Sequence, residues 1–229
     1  NDASFANFAV GCGVERIFVD LEIIGKKERQ GNLDTFISSH DMSDVSKIKD
    51  AIKGTSAELL VRLNPFYENT KEEVDEAISL GADILMLPMF TEAEQVRRFC
   101  CLVNGRVKVM PLVETAKALS CMDEIVKVLG VDEIFIGLND LSLDLGLRFM
   151  FEPLASGLLD RSAAIVNMAG LPFGFGGIAR VCEGMLPAEN ILGEHLRLGS
   201  SSVNLSRTFN RKEESDSSQE FLNVFKREF

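Results

Sequence analysis

Seven short apolar runs punctuate the chain: Arg16–Leu21, Glu58–Leu63, Ile84–Met89, Lys108–Val113, Glu133–Gly137, Pro172–Ile178 and Ser202–Ser206. Most are continuous rather than alternating, the pattern of strands covered on both faces in a parallel sheet. Stretches of helical period lie between them. Thr70–Leu80 opens with Thr70 as N-cap and Glu72 and Glu73 in its first turn, then stops at Gly81. Thr91–Val103 has a threonine cap with Glu94 three residues on, the capping-box spacing. Thr115–Leu129 and Ser43–Ile52 read the same way. Strand starts at 58, 84, 108 and 133 step by 26, 24 and 25 residues, the length of a βα unit. The pattern predicts a parallel α/β fold with right-handed crossovers.

A (β/α)8 TIM barrel needs eight strands, and seven are legible. Asp2–Val10 reads as a helix with Phe5, Phe8 and Ala9 on one face, ended by Gly11 and Gly13. The chain therefore opens on a helix where a βα unit opens on a strand. The expectation is a first strand upstream of Asn1, because an open barrel exposes two unpaired edges. Residues 1–229 are expected to form a single barrel domain. Ser215–Phe229 reads as a terminal amphipathic helix carrying Phe221, Leu222, Val224 and Phe225, and 211–229 as an oligomerisation element.

Composition narrows the function classes. The 229 residues are 46% hydrophobic and 26% charged, ordinary globular values. A net charge of −11 argues against nucleic-acid binding and against a polybasic membrane anchor. No run reaches the length of a membrane span, and no signal peptide is visible. The five cysteines, Cys12, Cys100, Cys101, Cys121 and Cys182, show no C-x-x-C spacing and read as reduced thiols of a cytoplasmic protein. His40 and His195 are the only histidines, and neither lies near a cysteine cluster, which argues against a zinc site.

In such a barrel the chemistry sits at the carboxyl ends of the strands. Asp20 and Glu22, Arg62 and Asn64, Glu114, Asn139 and Asp140, Gly176 and Gly177 with Arg180, and Ser206 with Arg207 stand there. Carboxylates, arginines and a glycine-rich turn at one mouth suit a hard divalent cation holding an anionic, oxygen-rich substrate. Plainer roles compete: a salt bridge for Glu114 or Arg62, an N-cap before Leu141 for Asp140, a tight strand end for Phe173–Gly177. His195 reads as structural. His40, in the loop before a helix capped by Ser43, is the one ready general base near the mouth.

Ile17–Glu22 (IFVDLE), Val61–Leu63 (VRL), Leu85–Met89 (LMLPM), Leu112–Thr115 (LVET) and Phe135–Ser142 (FIGLNDLS) with Leu145-Gly146 follow one another across most of the chain. In order and spacing they resemble the HpcH/HpaI aldolase/citrate lyase family of phosphoenolpyruvate/pyruvate-binding barrels. The resemblance implies Mg²⁺ or Mn²⁺ on Glu114 and Asp140. It implies Arg62 on the enolate oxygen of a pyruvate-like group, and amides around Gly137, Asn139 and Asp140 on the substrate carboxylate. It also implies a homo-oligomer with the last helix exchanged between subunits. Family aldolases carry Asp-Gly-Glu-His where this chain has Asp20-Leu21-Glu22-Ile23, so that histidine is missing. Ile23 also departs from the Asp-Leu-Glu-Asp of the acyl-CoA lyases, and Leu112 stands where the aldolases have glutamine. The loop Ile23–Met42, with Lys26, Lys27, Arg29 and His40, is the segment placed to rebuild the missing shell.

The expectation is a cytoplasmic, metal-dependent carbon–carbon lyase acting on a small 2-oxo acid, with His40 or a water moving the proton. The rivals are an acyl-CoA lyase resembling citrate lyase β-chains, favoured by Asp20-Leu21-Glu22, and a barrel that binds metal and carboxylate without catalysis.

Overall fold

A computed structural model describes residues 1–26, 29, 39–180, 183–210, 223 and 225–227. Seven parallel strands form one curled sheet in sequence order: β1 Arg16–Asp20, β2 Glu58–Arg62, β3 Ile84–Leu87, β4 Lys108–Val113, β5 Ile134–Ile136, β6 Phe173–Ile178 and β7 Ser202–Leu205. The predicted runs are recovered, each within about two residues. The helices are α1 Ala3–Gly11, α2 Met42–Ala51, α3 Thr70–Ser79, α4 Ala93–Val103, α5 Ala116–Ser120, α6 Met122–Ile125, α7 Leu138–Asp144, α8 Glu152–Ala155, α9 Leu158–Met168 and α10 Ala188–Leu198. No helix among the described residues is long and apolar enough to cross a membrane.

Helix starts differ from the sequence reading because local hydrogen bonds compete. Asp41, not Ser43, caps α2, through a reciprocal box with Asp44. Thr70 lies inside α3, and its hydroxyl accepts from the Tyr67 amide at 2.8 Å. Gln95, not Glu94, folds back on the start of α4, its Oε1 accepting from Thr91 N at 2.8 Å. The stretch predicted as one helix from Thr115 splits into α5 and α6 around Cys121. The segment holding α8 and α9 gave no reading at all.

Alternation along the strands separates two cores. Outward side chains such as Val19, Val61, Leu85, Val113 and Ile136 pack against the helices. Phe18, Leu60, Ile84, Met86, Met110, Leu112 and Phe135 pack against one another on the inner face. Below this apolar layer, at the amino ends, Arg16 pairs with Glu58 at 3.2 Å and Glu133 at 2.7 Å, and Lys108 pairs with Glu58 at 2.5 Å. Above it, at the carboxyl ends, the same alternation brings Asp20, Arg62, Glu114 and Gly137 inward.

β1 and β7 are the two ends of the sheet. Ile17 of β1 and Val203 and Leu205 of β7 meet in one cluster with Phe5, Phe8, Ile178, Phe209 and Phe225. The Phe225 ring stands edge-on to Phe5 at 5.6 Å and to Phe8 at 5.5 Å, on α1 of its own chain. Phe221, Leu222 and Val224, the other apolar positions predicted for the terminal helix, lie outside the described residues, as does Cys182. Cys12, Cys100, Cys101 and Cys121 are free thiols.

Candidate active site

Asp20 ends β1 and stands in register with Arg62 at the end of β2. The guanidinium forks onto the carboxylate, Nε to Oδ1 and Nη2 to Oδ2, each at 2.8 Å. Lys26 Nζ adds a third contact at 2.5 Å. Burial alone would raise the Asp20 carboxyl, but these cations overcome it and hold it down to about 2. Asp20 in turn keeps the buried Arg62 firmly protonated. Glu22 is 1% exposed and faces the same cations, Arg62 at 3.4 Å and Lys26 at 3.8 Å, and it hydrogen-bonds Arg29. Asn64 fixes the turn after Glu22: its Oδ1 accepts the amides of Ile23 at 2.9 Å and Ile24 at 3.0 Å.

Glu114 follows β4 and is 2% exposed. Its Oε1 accepts the Met89 amide at 3.0 Å. Met89 has φ 53°, a left-handed conformation uncommon outside glycine, and such strain concentrates at functional sites. Among the described residues no cation lies within ion-pair distance of Glu114. Burial pushes its carboxyl up to about 8; Arg62 opposes this, while Asp140 and Glu22 add to it. Gly137 makes room for the group, since a Cβ there would lie 2.9 Å from both Cβ and Oε2 of Glu114. Asp140 is not an N-cap: Gly137 precedes α7, and Asp140 sits buried in the first turn, 3.6 Å from Arg29 Nε.

Arg62, Glu114, Asp140 and Gly137 are thus brought together as the sequence predicts. Asn139 lies beside them in the first turn of α7. His40 stands on the far side of Asp20, its Nδ1 accepting the Asp20 amide at 3.1 Å, and burial lowers its pKa. Glu22, Lys26 and Arg29 carry more of the site's charge than the sequence pattern assigned them. The glycine-rich segment serves packing: a Cβ at Gly176 would strike Leu138 at 2.7 Å, and one at Gly174 would strike Ser202 and Phe135. Arg180 is buried against Glu183 at 3.0 Å. His195 stacks on Phe175 at 3.7 Å and bonds Ser200, a structural placement.

The described residues contain no ready cluster of three metal-ligating side chains. The donor set nevertheless fits a divalent cation. Mg²⁺ and Mn²⁺ take hard oxygen donors, and Mg²⁺ sites often use one or two carboxylates and complete the shell with water and substrate oxygens. Glu114 and Asp140 are such a pair, and the charge of Glu114 lacks a local partner.

A curled parallel sheet with a buried carboxylate–arginine centre at its carboxyl ends is consistent with a TIM-like α/β barrel, a fold whose chemistry sits at that face. More narrowly, the chain belongs to the HpcH/HpaI aldolase/citrate lyase family, whose model matches residues 38–152. It is 27% identical to 2-keto-3-deoxy-L-rhamnonate aldolase of Escherichia coli strain K12, over 49% of this chain and 54% of that protein. The match thus spans about half the length of this curated relative. The fold resembles that of an HpcH/HpaI aldolase from Desulfitobacterium hafniense DCB-2, with TM-score 0.71 and 18% identity, covering 90% of this chain and 82% of that one. A family protein from Burkholderia cenocepacia J2315 gives TM-score 0.71 at 19% identity, covering 90% and 84%.

Proposed function

We propose that this protein is a divalent-metal-dependent carbon–carbon lyase that makes or breaks a bond to the pyruvate-like enolate of a 2-oxo acid. The observation that carries this reading is the buried Glu114 carboxyl, without an ion-pair partner among the described residues, near Asp140 and the Arg62 guanidinium. Glu114 and Asp140 would hold Mg²⁺ or Mn²⁺, which supplies Lewis-acid stabilisation of developing negative charge. Arg62 spends Nε and Nη2 on Asp20, which leaves Nη1 to donate to the enolate oxygen. That donor is fixed before charge develops, because Asp20 locks the guanidinium plane. The amides of Gly137, Asn139 and Asp140 take the substrate carboxylate in this reading. His40, oriented by the Asp20 amide on Nδ1, or a water moves the proton.

The family membership and the rhamnonate-aldolase relative support an aldol-type reaction on a small carboxylate. The seven-stranded sheet fits a (β/α)8 barrel, with residues 1–229 in one domain. Free thiols fit a cytoplasmic protein. A homo-oligomer that exchanges 211–229 between subunits completes the reading. The test is exchange of pyruvate methyl protons in D₂O, followed by NMR with Mg²⁺ or Mn²⁺. Metal-dependent exchange that disappears in Glu114→Ala is the expected result. Absence of exchange in a metal-bound sample would overturn the proposal in favour of a CoA thioester lyase or a non-catalytic binder.

A further inference from the structure

Among the described residues, four carboxylates, Asp20, Glu22, Glu114 and Asp140, share the mouth with three cations, Lys26, Arg29 and Arg62. Arg62 is committed to Asp20 through two hydrogen bonds, and Lys26 donates to the same carboxylate. Arg29 alone of the three reaches Asp140. Its Nη2 donates to Glu22, while its Nε stands 3.6 Å from Asp140 Oδ1, too long for a hydrogen bond. That Nε is buried and has no hydrogen-bond partner. A buried donor left unsatisfied is costly and calls for an explanation. The side chain reaches inward from the turn after Gly25, which adopts φ 72°, and the Arg29 amide bonds Gly25 O at 3.2 Å. The guanidinium therefore lies against one of the two carboxylates assigned to the metal, within ion-pair range but too far for a hydrogen bond.

We propose that Arg29 is a built-in counter-cation of the site, bridging Glu22 and Asp140 and competing with the divalent metal ion for Asp140. The inference rests on the metal-site reading above and adds to it a residue that sets how tightly the ion is held. The poor Nε geometry explains why the contact is exchangeable: an ion that takes Asp140 costs Arg29 no hydrogen bond there, while the bond to Glu22 retains it nearby. A planar guanidinium with donors fixed along one edge suits a bridge between two carboxylates.

Isothermal titration with Mn²⁺ tests the competition in the wild type, Arg29→Gln, Arg29→Lys and Glu114→Gln. Removing a positive charge from beside Asp140 should tighten Mn²⁺ binding about tenfold or more in Arg29→Gln. Arg29→Lys should show a smaller gain, and it keeps the test open if the glutamine variant fails to fold. Without metal, Arg29→Gln should melt lower than the wild type, and Mn²⁺ should raise its melting temperature more than it raises that of the wild type. Wild-type binding that is lost in Glu114→Gln but unchanged or weaker in both Arg29 variants would overturn the role of Arg29 and leave the metal site standing. Absence of Mn²⁺ binding in every variant would overturn the metal site itself and this inference with it.

Discussion

Gly137 gives the sharpest test of how the fold serves the site. Its backbone lies at φ −85° and ψ 96°, which alanine adopts without strain. Any loss of stability in Gly137→Ala is therefore steric, since alanine otherwise stabilises through the unfolded chain. The new methyl would lie 2.9 Å from Glu114 Cβ, 2.9 Å from Glu114 Oε2 and 3.2 Å from Leu112 Cδ1. Ordinary carbon contacts begin near 3.5 Å, so the neighbours must retreat by roughly half an ångström. Glu114 has little room to do so, being buried and tied to the Met89 amide. Overpacking of this kind costs about 1–3 kcal/mol. It also displaces a proposed metal donor, and a misplacement of about 1 Å is enough for a hundredfold loss in rate. Gly193→Ala is the control: it is an exposed position of α10 with no atom within 4 Å of a new Cβ, and it should stabilise by roughly 0.5–1 kcal/mol. Urea unfolding and Mn²⁺ titration of both variants read the two effects separately. A Gly137→Ala protein with wild-type stability and wild-type Mn²⁺ affinity would refute the claim that this glycine exists to seat Glu114.

Two further outcomes follow from burial away from the metal. The His195 imidazole is depressed by burial from an ordinary 6.5 to about 4, so the folded state binds fewer protons than the unfolded state between those values. Its contribution is full above pH 6.5 and is lost as pH falls toward 4. At about 1.36 kcal/mol per pH unit, the loss is roughly 3 kcal/mol. His195→Asn should flatten the pH dependence of urea stability over this window, and an unaltered slope would contradict the assignment. The adjacent cysteines of α4 should react unequally. Cys100 is buried and its thiol is pushed up to about 12, whereas Cys101 is exposed. Mass spectrometry after brief iodoacetamide treatment should find the label on Cys101 and none on Cys100; equal labelling would show that α4 opens readily.

The strands were legible because burial on both faces leaves a run of apolar residues that nothing else in the sequence imitates. The polar residues that close those runs were legible for the same reason, and alternation carried Asp20, Arg62 and Glu114 to one face. Helix starts were less legible: Asp41 takes the cap from Ser43, Gln95 folds back on Thr91, and the Thr70 hydroxyl takes the Tyr67 amide from the preceding turn. Glu22 was noticed but underrated: it lies past the strand, where periodicity no longer says which way a side chain points. Its burial depends on Asn64 gripping the next two amides from a different strand end. The left-handed Met89 left no trace in the pattern, because a methionine gives no local signal for positive φ. The pairing of Arg29 with Asp140 joins residues more than a hundred positions apart, and only the folded chain makes them neighbours.

The two ends of the inner face separate structural charge from functional charge. At the amino ends of the strands, Arg16 and Lys108 face Glu58 and Glu133, two cations for two carboxylates, all in direct contact. Such a balanced set holds the lower end of the barrel interior together and asks for no ligand, as expected of the face that serves stability. At the carboxyl ends, four carboxylates face three cations among the described residues. Two of those cations are spent on Asp20, and the third divides itself between Glu22 and Asp140. The deficit falls on Glu114, the carboxyl most fully removed from water among these groups after Glu22. A fold gains no stability from sealing an unmatched carboxyl in its interior, since burial penalises the charge and no partner repays it. The imbalance makes sense when a further positive charge arrives with the substrate or cofactor, which supports placing the proposed metal at this end of the sheet.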